Sequence, residues 1–88
     1  MLIDMLAKTN ESGKVTSRYL ILTTALKVEE VLTVAKSVDP YLANVLRVEG
    51  NDELHQTIIR VSVFKAQRVP KFARFVYEIL NLNSVLSN

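Results

Sequence analysis

The run Thr57-Ile58-Ile59-Arg60-Val61-Ser62-Val63-Phe64 constrains this chain more than any other segment. It is rich in β-branched residues, which fit a pleated surface and lose rotamer freedom in a helix. In an extended chain Ile59, Val61 and Val63 fall on one face, and Ile58, Arg60, Ser62 and Phe64 on the other. Just before it lies Glu49-Gly50-Asn51-Asp52-Glu53, a polar cluster with turn chemistry. Together they predict a hairpin, with one strand within 43–49, a turn near Gly50 and a second strand within 55–65. The rival reading is a helix over 51–67, using Leu54, Ile58, Val61 and Lys65. Its apolar stripe breaks at Lys65.

The flanking segments supply the rest of an architecture. Val15 to Thr24 carries Tyr19, Leu20, Ile21 and Leu22 between threonines, which is strand composition. Residues 1–8 either pair with it as a hairpin around Gly13 or form an arm. From Lys27 to Val38, Val28, Val31, Leu32, Ala35 and Val38 share one helical face. Glu29 and Glu30 suit the positive end of that helix, and Asp39-Pro40 stops it. Pro70 to Leu86 predicts a last helix with Pro70 in its first position. Phe72, Val76, Ile79 and Leu86 form its stripe, widened by Phe75, Leu80 and Leu82. The expected fold is α+β, in the order β-α-β-β-α, with both helices packed on one face of an antiparallel-rich sheet. That sheet has three strands, or four if the N-terminal hairpin forms. Residues 1–88 read as one domain, 1–14 being the arm or first hairpin strand and 15–88 the core.

A chain of 88 residues buries only ~60% of the surface its unfolded form exposes. Yet 49% of its residues are hydrophobic, so part of that apolar surface is expected to face a partner. The broad last helix is the natural place, with Phe72, Phe75, Ile79 and Leu82 as interface candidates. The absence of cysteine excludes a disulfide framework and a thiolate zinc site. No apolar run reaches the ~20 residues of a spanning helix, and Met1 to Leu6 does not read as a signal peptide. The expected location is therefore the cytoplasm.

Catalysis finds no footing. The single histidine, His55, sits beside the predicted turn, where a solvated side chain accounts for it. Glu29-Glu30 and Asp52-Glu53 are explained by a helix start and a turn. Phosphate-loop glycines and metal-ligand spacings are missing, so no enzyme activity, cofactor, metal or small-molecule substrate is expected. The charge distribution is more telling than the net +2. Leu54 to Tyr77 contains no acid but holds Arg60, Lys65, Arg68, Lys71 and Arg74. Lys65, Arg68, Lys71 and Arg74 flank the start of the last helix and are candidate phosphate contacts of a nucleic acid. The G-x-x-G clamp of KH domains and the aromatic stacking motif of RRM domains are both lacking. On the far face of the sheet, Tyr19, Ile21, Val45, Ile58 and Phe64 are expected beside Arg47 and Arg60, a half-apolar surface that a partner would cover.

From about Arg18 to Leu86 the chain resembles the Pcc family, the small dimerising subunits of the KEOPS complex. Lys27-Val28-Glu29-Glu30-Val31-Leu32 resembles that family's helix start, and Ser37-Val38-Asp39-Pro40 its helix end. Val48-Glu49-Gly50-Asn51 resembles its hairpin turn, and Ile59-Arg60-Val61-Ser62-Val63 the following strand. The last helix departs from the pattern. Phe72-Ala73 stands where the family has Leu-Arg, Tyr77 where it has asparagine, and Arg74 comes one place late. The chain in this respect looks like the divergent paralogue that pairs with the main subunit. The resemblance implies a non-catalytic role. Such a subunit dimerises with itself or a paralogue, docks on the Kae-type catalytic subunit, and helps hold tRNA for threonylcarbamoyl-adenosine modification. The alternative is a small accessory or scaffold protein of another nucleic-acid assembly, such as one for DNA replication, for which an all-helical fold is also open.

Overall fold

A computed structural model describes the backbone of residues 2–87 and the side-chain surroundings of residues 3–85. It begins with a hairpin of β1 (Leu2–Thr9) and β2 (Val15–Thr24). Asn10 organises the turn between them. Its Oδ1 accepts hydrogen bonds from the N–H groups of Ser12 and Lys14, each at 3.0 Å, and from the Ser12 hydroxyl at 2.8 Å. Gly13 closes the turn at φ +83°, a left-handed conformation that a side chain would strain. The hairpin reading of residues 1–8 is the one observed.

Helix α1 (Val28–Val38) follows. The Glu30 carboxylate accepts the Lys27 N–H at 3.1 Å, so the acid of the first turn also ties down the helix start. Asp39 ends it, with Asp39 Oδ1 accepting the Tyr41 N–H at 3.0 Å. A short helix α2 (Leu42–Val45) then leads into β3 (Arg47–Asn51), and β4 (Gln56–Ser62) returns antiparallel to it. Helix α3 (Val63–Gln67) and the long helix α4 (Phe72–Ser87) complete the chain.

The sheet has four antiparallel strands in the order β1-β2-β4-β3, with Leu22 opposite Ile59 and Val48 opposite the same Ile59. The α+β class with helices on one face of an antiparallel sheet is therefore the fold, and the all-helical alternative is excluded. β2 and β3 run parallel but do not touch, because β4 lies between them. This forces α1 to carry the chain across the sheet. The molecule measures 45 × 31 × 18 Å, and the thin dimension is that of two layers.

Leu22, Ile59 and Val61 of the sheet meet Val31, Ala35 and Val38 of α1, Leu42 and Leu46, Val69, and Phe75 and Ile79 of α4 in one core. Two expectations need correction here. Phe75 and Ile79 are wholly buried, so they hold this chain together and cannot be a docking surface. A single helix pair must cover the whole inner face of the sheet, and that occupies the breadth of α4. Phe72 is half-buried against the core, and Leu82 is exposed. Leu86, placed in the same stripe, lies outside the described side chains.

The second correction concerns element boundaries. Residues 43–45 are helical, and the strand expected to continue past Ser62 becomes α3 instead. The β2–β4 pairing ends at Tyr19 opposite Ser62, and beyond it Ala66 and Val69 reach the core at a three-residue spacing. Hence Val45 and Phe64 are helical rather than strand residues, although Val45 lines a cleft with Tyr19, Arg47 and Arg60. Pro70 precedes α4 by two positions rather than opening it.

Candidate nucleic-acid interface

No helix covers the far face of the sheet. Alternation places Asp4, Leu6 and Lys8 of β1, Tyr19, Ile21 and Thr23 of β2, Ile58, Arg60 and Ser62 of β4, and Arg47 and Glu49 of β3 on it. The expected grouping of Tyr19, Ile21 and Ile58 with Arg47 and Arg60 is thus observed. Ile58 is 36% exposed although it is flanked on both sides by paired strands.

Tyr19 is the centre of the charged corner. Directly opposite it are Leu6 on one side and Ser62 on the other. Its diagonal neighbours are Lys8 and Arg60, and both reach its ring. The Arg60 guanidinium carbon stands 4.2 Å from the ring centroid and Lys8 Nζ 5.5 Å from it. The Tyr19 phenol is held below its ordinary pKa, mainly by the neighbouring Ser17 hydroxyl, and further by the Lys8 and Arg60 charges, against a partial loss of solvent.

A cleft of about 400 Å³ opens beside the ring. Lys8, Arg47, Arg60 and Lys65 line it with Tyr19 and Ser62, and no acid does. Arg47 and Arg60 are direct cross-strand partners, an arrangement of like charges that ordinarily destabilises a sheet. Among the described residues none of these four cations forms an ion pair.

The opposite end of the sheet is of mixed charge, with Lys27 among its lining residues. Glu29 at the start of α1 and Asp52 in the β3–β4 turn line a second cleft, of about 320 Å³, together with His55. His55 holds a left-handed φ of 52° in that turn. Among the described residues no three His, Cys, Asp or Glu side chains gather to hold a metal ion, and no helix is long and apolar enough to cross a membrane.

The four cations proposed from sequence as phosphate contacts sit on different parts of the α3–α4 segment. Lys65 lies in α3 and enters the cleft. Arg68 caps α3 and lays its guanidinium over the exposed Phe64 ring, 4.1 Å from the centroid. Lys71 sits in the turn before α4, and Arg74 in that helix's first turn, both exposed. The Phe72 N–H at the helix start is already taken by the Val69 carbonyl at 3.0 Å. Tyr19 and Arg47 were expected beside Arg60 on the open face, and Lys8 is the cleft residue that the sequence reading passes over. Only the β1–β2 register brings Lys8 to this corner. Comparison of the chain with protein-family models, with curated proteins and with solved structures finds no match.

Proposed function

We propose that the chain is a non-catalytic accessory subunit of a cytoplasmic tRNA-modification assembly of the KEOPS kind. In it the chain pairs with a second copy or a Pcc-like paralogue, docks beside the Kae-type catalytic subunit, and lends positive surface to RNA. The observation that carries the reading is the uncovered sheet face, basic at one corner and bounded by a free apolar edge strand. Ile3, Met5 and Leu6 of β1 are exposed, and β1 pairs with β2 alone. An unpaired strand edge of eight residues without proline is a template for another chain. An antiparallel pairing of β1 with the β1 of a second copy, centred on Leu6, sets Asp4 opposite Lys8 of the second copy at both ends. The order of strands and helices supports the Pcc-like reading, and the cations at Lys65, Arg68, Lys71 and Arg74 support the RNA contact.

The test is affinity purification of the tagged chain from its native cell. The reading expects a Pcc-like chain, a Kae-type subunit and tRNA in the eluate. Recovery of the chain with none of these overturns it.

A further inference from the structure

We propose that the corner of the open face where Arg47 and Arg60 stand opposite each other is a site for a terminal phosphate or diphosphate group of a nucleotide. This goes beyond the RNA-holding role, which needs cations spread over a surface and no pocket.

Three observations converge. The first is the direct Arg47–Arg60 pair between adjacent strands. Two like charges so placed repel, and neither is compensated by an ion pair to a described residue. Glu49, on the same strand face as Arg47, stands opposite Ile58 one pleat further on and does not line the cleft. An anion between the two guanidinium groups turns that repulsion into paired attraction, and planar forks suit the oxygens of a phosphate.

The second is preorganisation. The Tyr19 ring holds the Arg60 guanidinium at 4.2 Å, so this side chain is oriented before any ligand arrives.

The third is shape. Lys8 and Lys65 bring further charge to the same concave space from β1 and α3. A cleft of about 400 Å³ with convergent cations suits one compact group of high charge. A terminal phosphate carries close to two negative charges at neutral pH, since its second pKa is near 6. An internal phosphodiester carries one, and its strand would have to run on past the cleft. The phosphate could belong to a free nucleotide or to the phosphorylated end of a strand.

The experiment uses the full chain and calorimetric titration with pyrophosphate, ADP, and a short RNA carrying either a 5′-phosphate or a 5′-hydroxyl. Pyrophosphate and ADP are expected to bind. Arg47→Gln and Arg60→Gln should each weaken binding tenfold or more, while Arg68→Gln and Arg74→Gln stay within twofold. In thermal melts, pyrophosphate should stabilise the parent chain but neither Arg47→Gln nor Arg60→Gln. Arg47→Gln should also melt no lower than the parent without ligand, because it removes a repulsion. This keeps a binding loss distinct from misfolding. If the phosphorylated RNA binds tenfold tighter than ADP, the source is a strand end; if the two bind alike, a nucleotide suffices. Absent binding of pyrophosphate and ADP, equal binding by the variants, or equal affinity for the 5′-phosphate and 5′-hydroxyl RNAs overturns the site. The last outcome leaves the RNA-holding role standing, whereas loss of all RNA binding by the native assembly would count against that role alone.

Discussion

Asn83 and Thr24, 59 residues apart, share a buried hydrogen bond of 2.7 Å from the threonine hydroxyl to the asparagine Oδ1. The same oxygen accepts the Ala25 N–H at 2.9 Å, and Thr24 Oγ1 accepts the Leu26 N–H at 3.2 Å. At the last sheet pair, Thr24 opposite Thr57, the end of β2 thus gains a further partner on α4. Replacing Asn83 by Ala leaves the buried Thr24 hydroxyl without this acceptor and removes the acceptor of the part-buried Ala25 N–H. A stability loss of about 1–3 kcal/mol is expected, read from the midpoint of urea unfolding. Asn81→Ala, on the exposed side of the same helix, should shift it by less than about 0.5 kcal/mol.

Phe75 and Leu82 are joined by the sequence pattern and divided by the structure. Phe75 is fully buried, whereas Leu82 is 39% exposed. Phe75→Ala should therefore cost about 3–5 kcal/mol, a large share of the ~5–15 kcal/mol available to a small domain. Thermal melting followed by circular dichroism should show a broad or missing transition at 37 °C. Leu82→Asp should melt within a few degrees of the parent.

The β1 edge pairing predicts a charge-swap result. Asp4→Lys sets two lysines opposite each other at both ends of the shared strand pair. Sedimentation should then show a weakened dimer of a chain that still folds. Adding Lys8→Asp restores opposite signs and should restore the dimer. A double variant as weak as the single one would remove the register centred on Leu6.

Tyr19 gives a pH signature. Its phenol pKa is lowered in the folded chain, so the folded state favours the phenolate. The associated stability is present above the unfolded pKa, near 10, and is lost as the pH falls through the lowered folded value. Phenolate absorbance should show one of the three tyrosines ionising early, and Tyr19→Phe should remove that component. Arg60→Gln should raise its pKa toward the ordinary value, because a nearby positive charge is gone.

Salt dependence tests the cations around the start of α4 as RNA contacts. For RNA binding by the assembled complex, changing Lys65, Arg68, Lys71 and Arg74 to Ala should flatten the slope of log affinity against log salt by roughly 3–4, at about 0.7–0.9 for each phosphate that is no longer neutralised. Affinity should fall about equally for tRNAs of different sequence. An unchanged slope would make these side chains solvated surface only.

Much of the fold was legible because alternation is a two-state signal. Ile59 and Val61 on one face and Ile58 and Arg60 on the other could be assigned from spacing alone, and the register agrees. Helix α1 was legible from its spacing, its acids at the start and Asp39-Pro40 at the end. The short helices were not. Val63 and Phe64 are β-branched or aromatic and read as strand, yet the ladder had run out of partner at Ser62, and the core recruited Ala66 and Val69 instead. Local preference cannot report where a neighbouring strand stops. The charged corner was half legible: Arg47 and Arg60 could be placed on the open face, but Lys8 needed the register of a hairpin whose existence the sequence left open. For α4, its 3.6-residue stripe said which residues were apolar but not how much sheet lay beneath them.

The placement of β4 between β2 and β3 has a consequence for synthesis. While a ribosome has delivered only the β1–β2 hairpin and α1, the central neighbour of β2 does not yet exist. The inner faces of β2 and α1, with Leu22, Val31 and Ala35, must wait for Ile59 and Val61 and then for Phe75 and Ile79. No portion of the chain before β4 can close this core, which forms only once β4 and α4 have been made. During that interval the nascent chain displays a sticky hairpin. Cells making this protein quickly are expected to occupy a holdase with it, or to lose a share of it to aggregates, in proportion to the time between the appearance of Thr24 and that of Ile79.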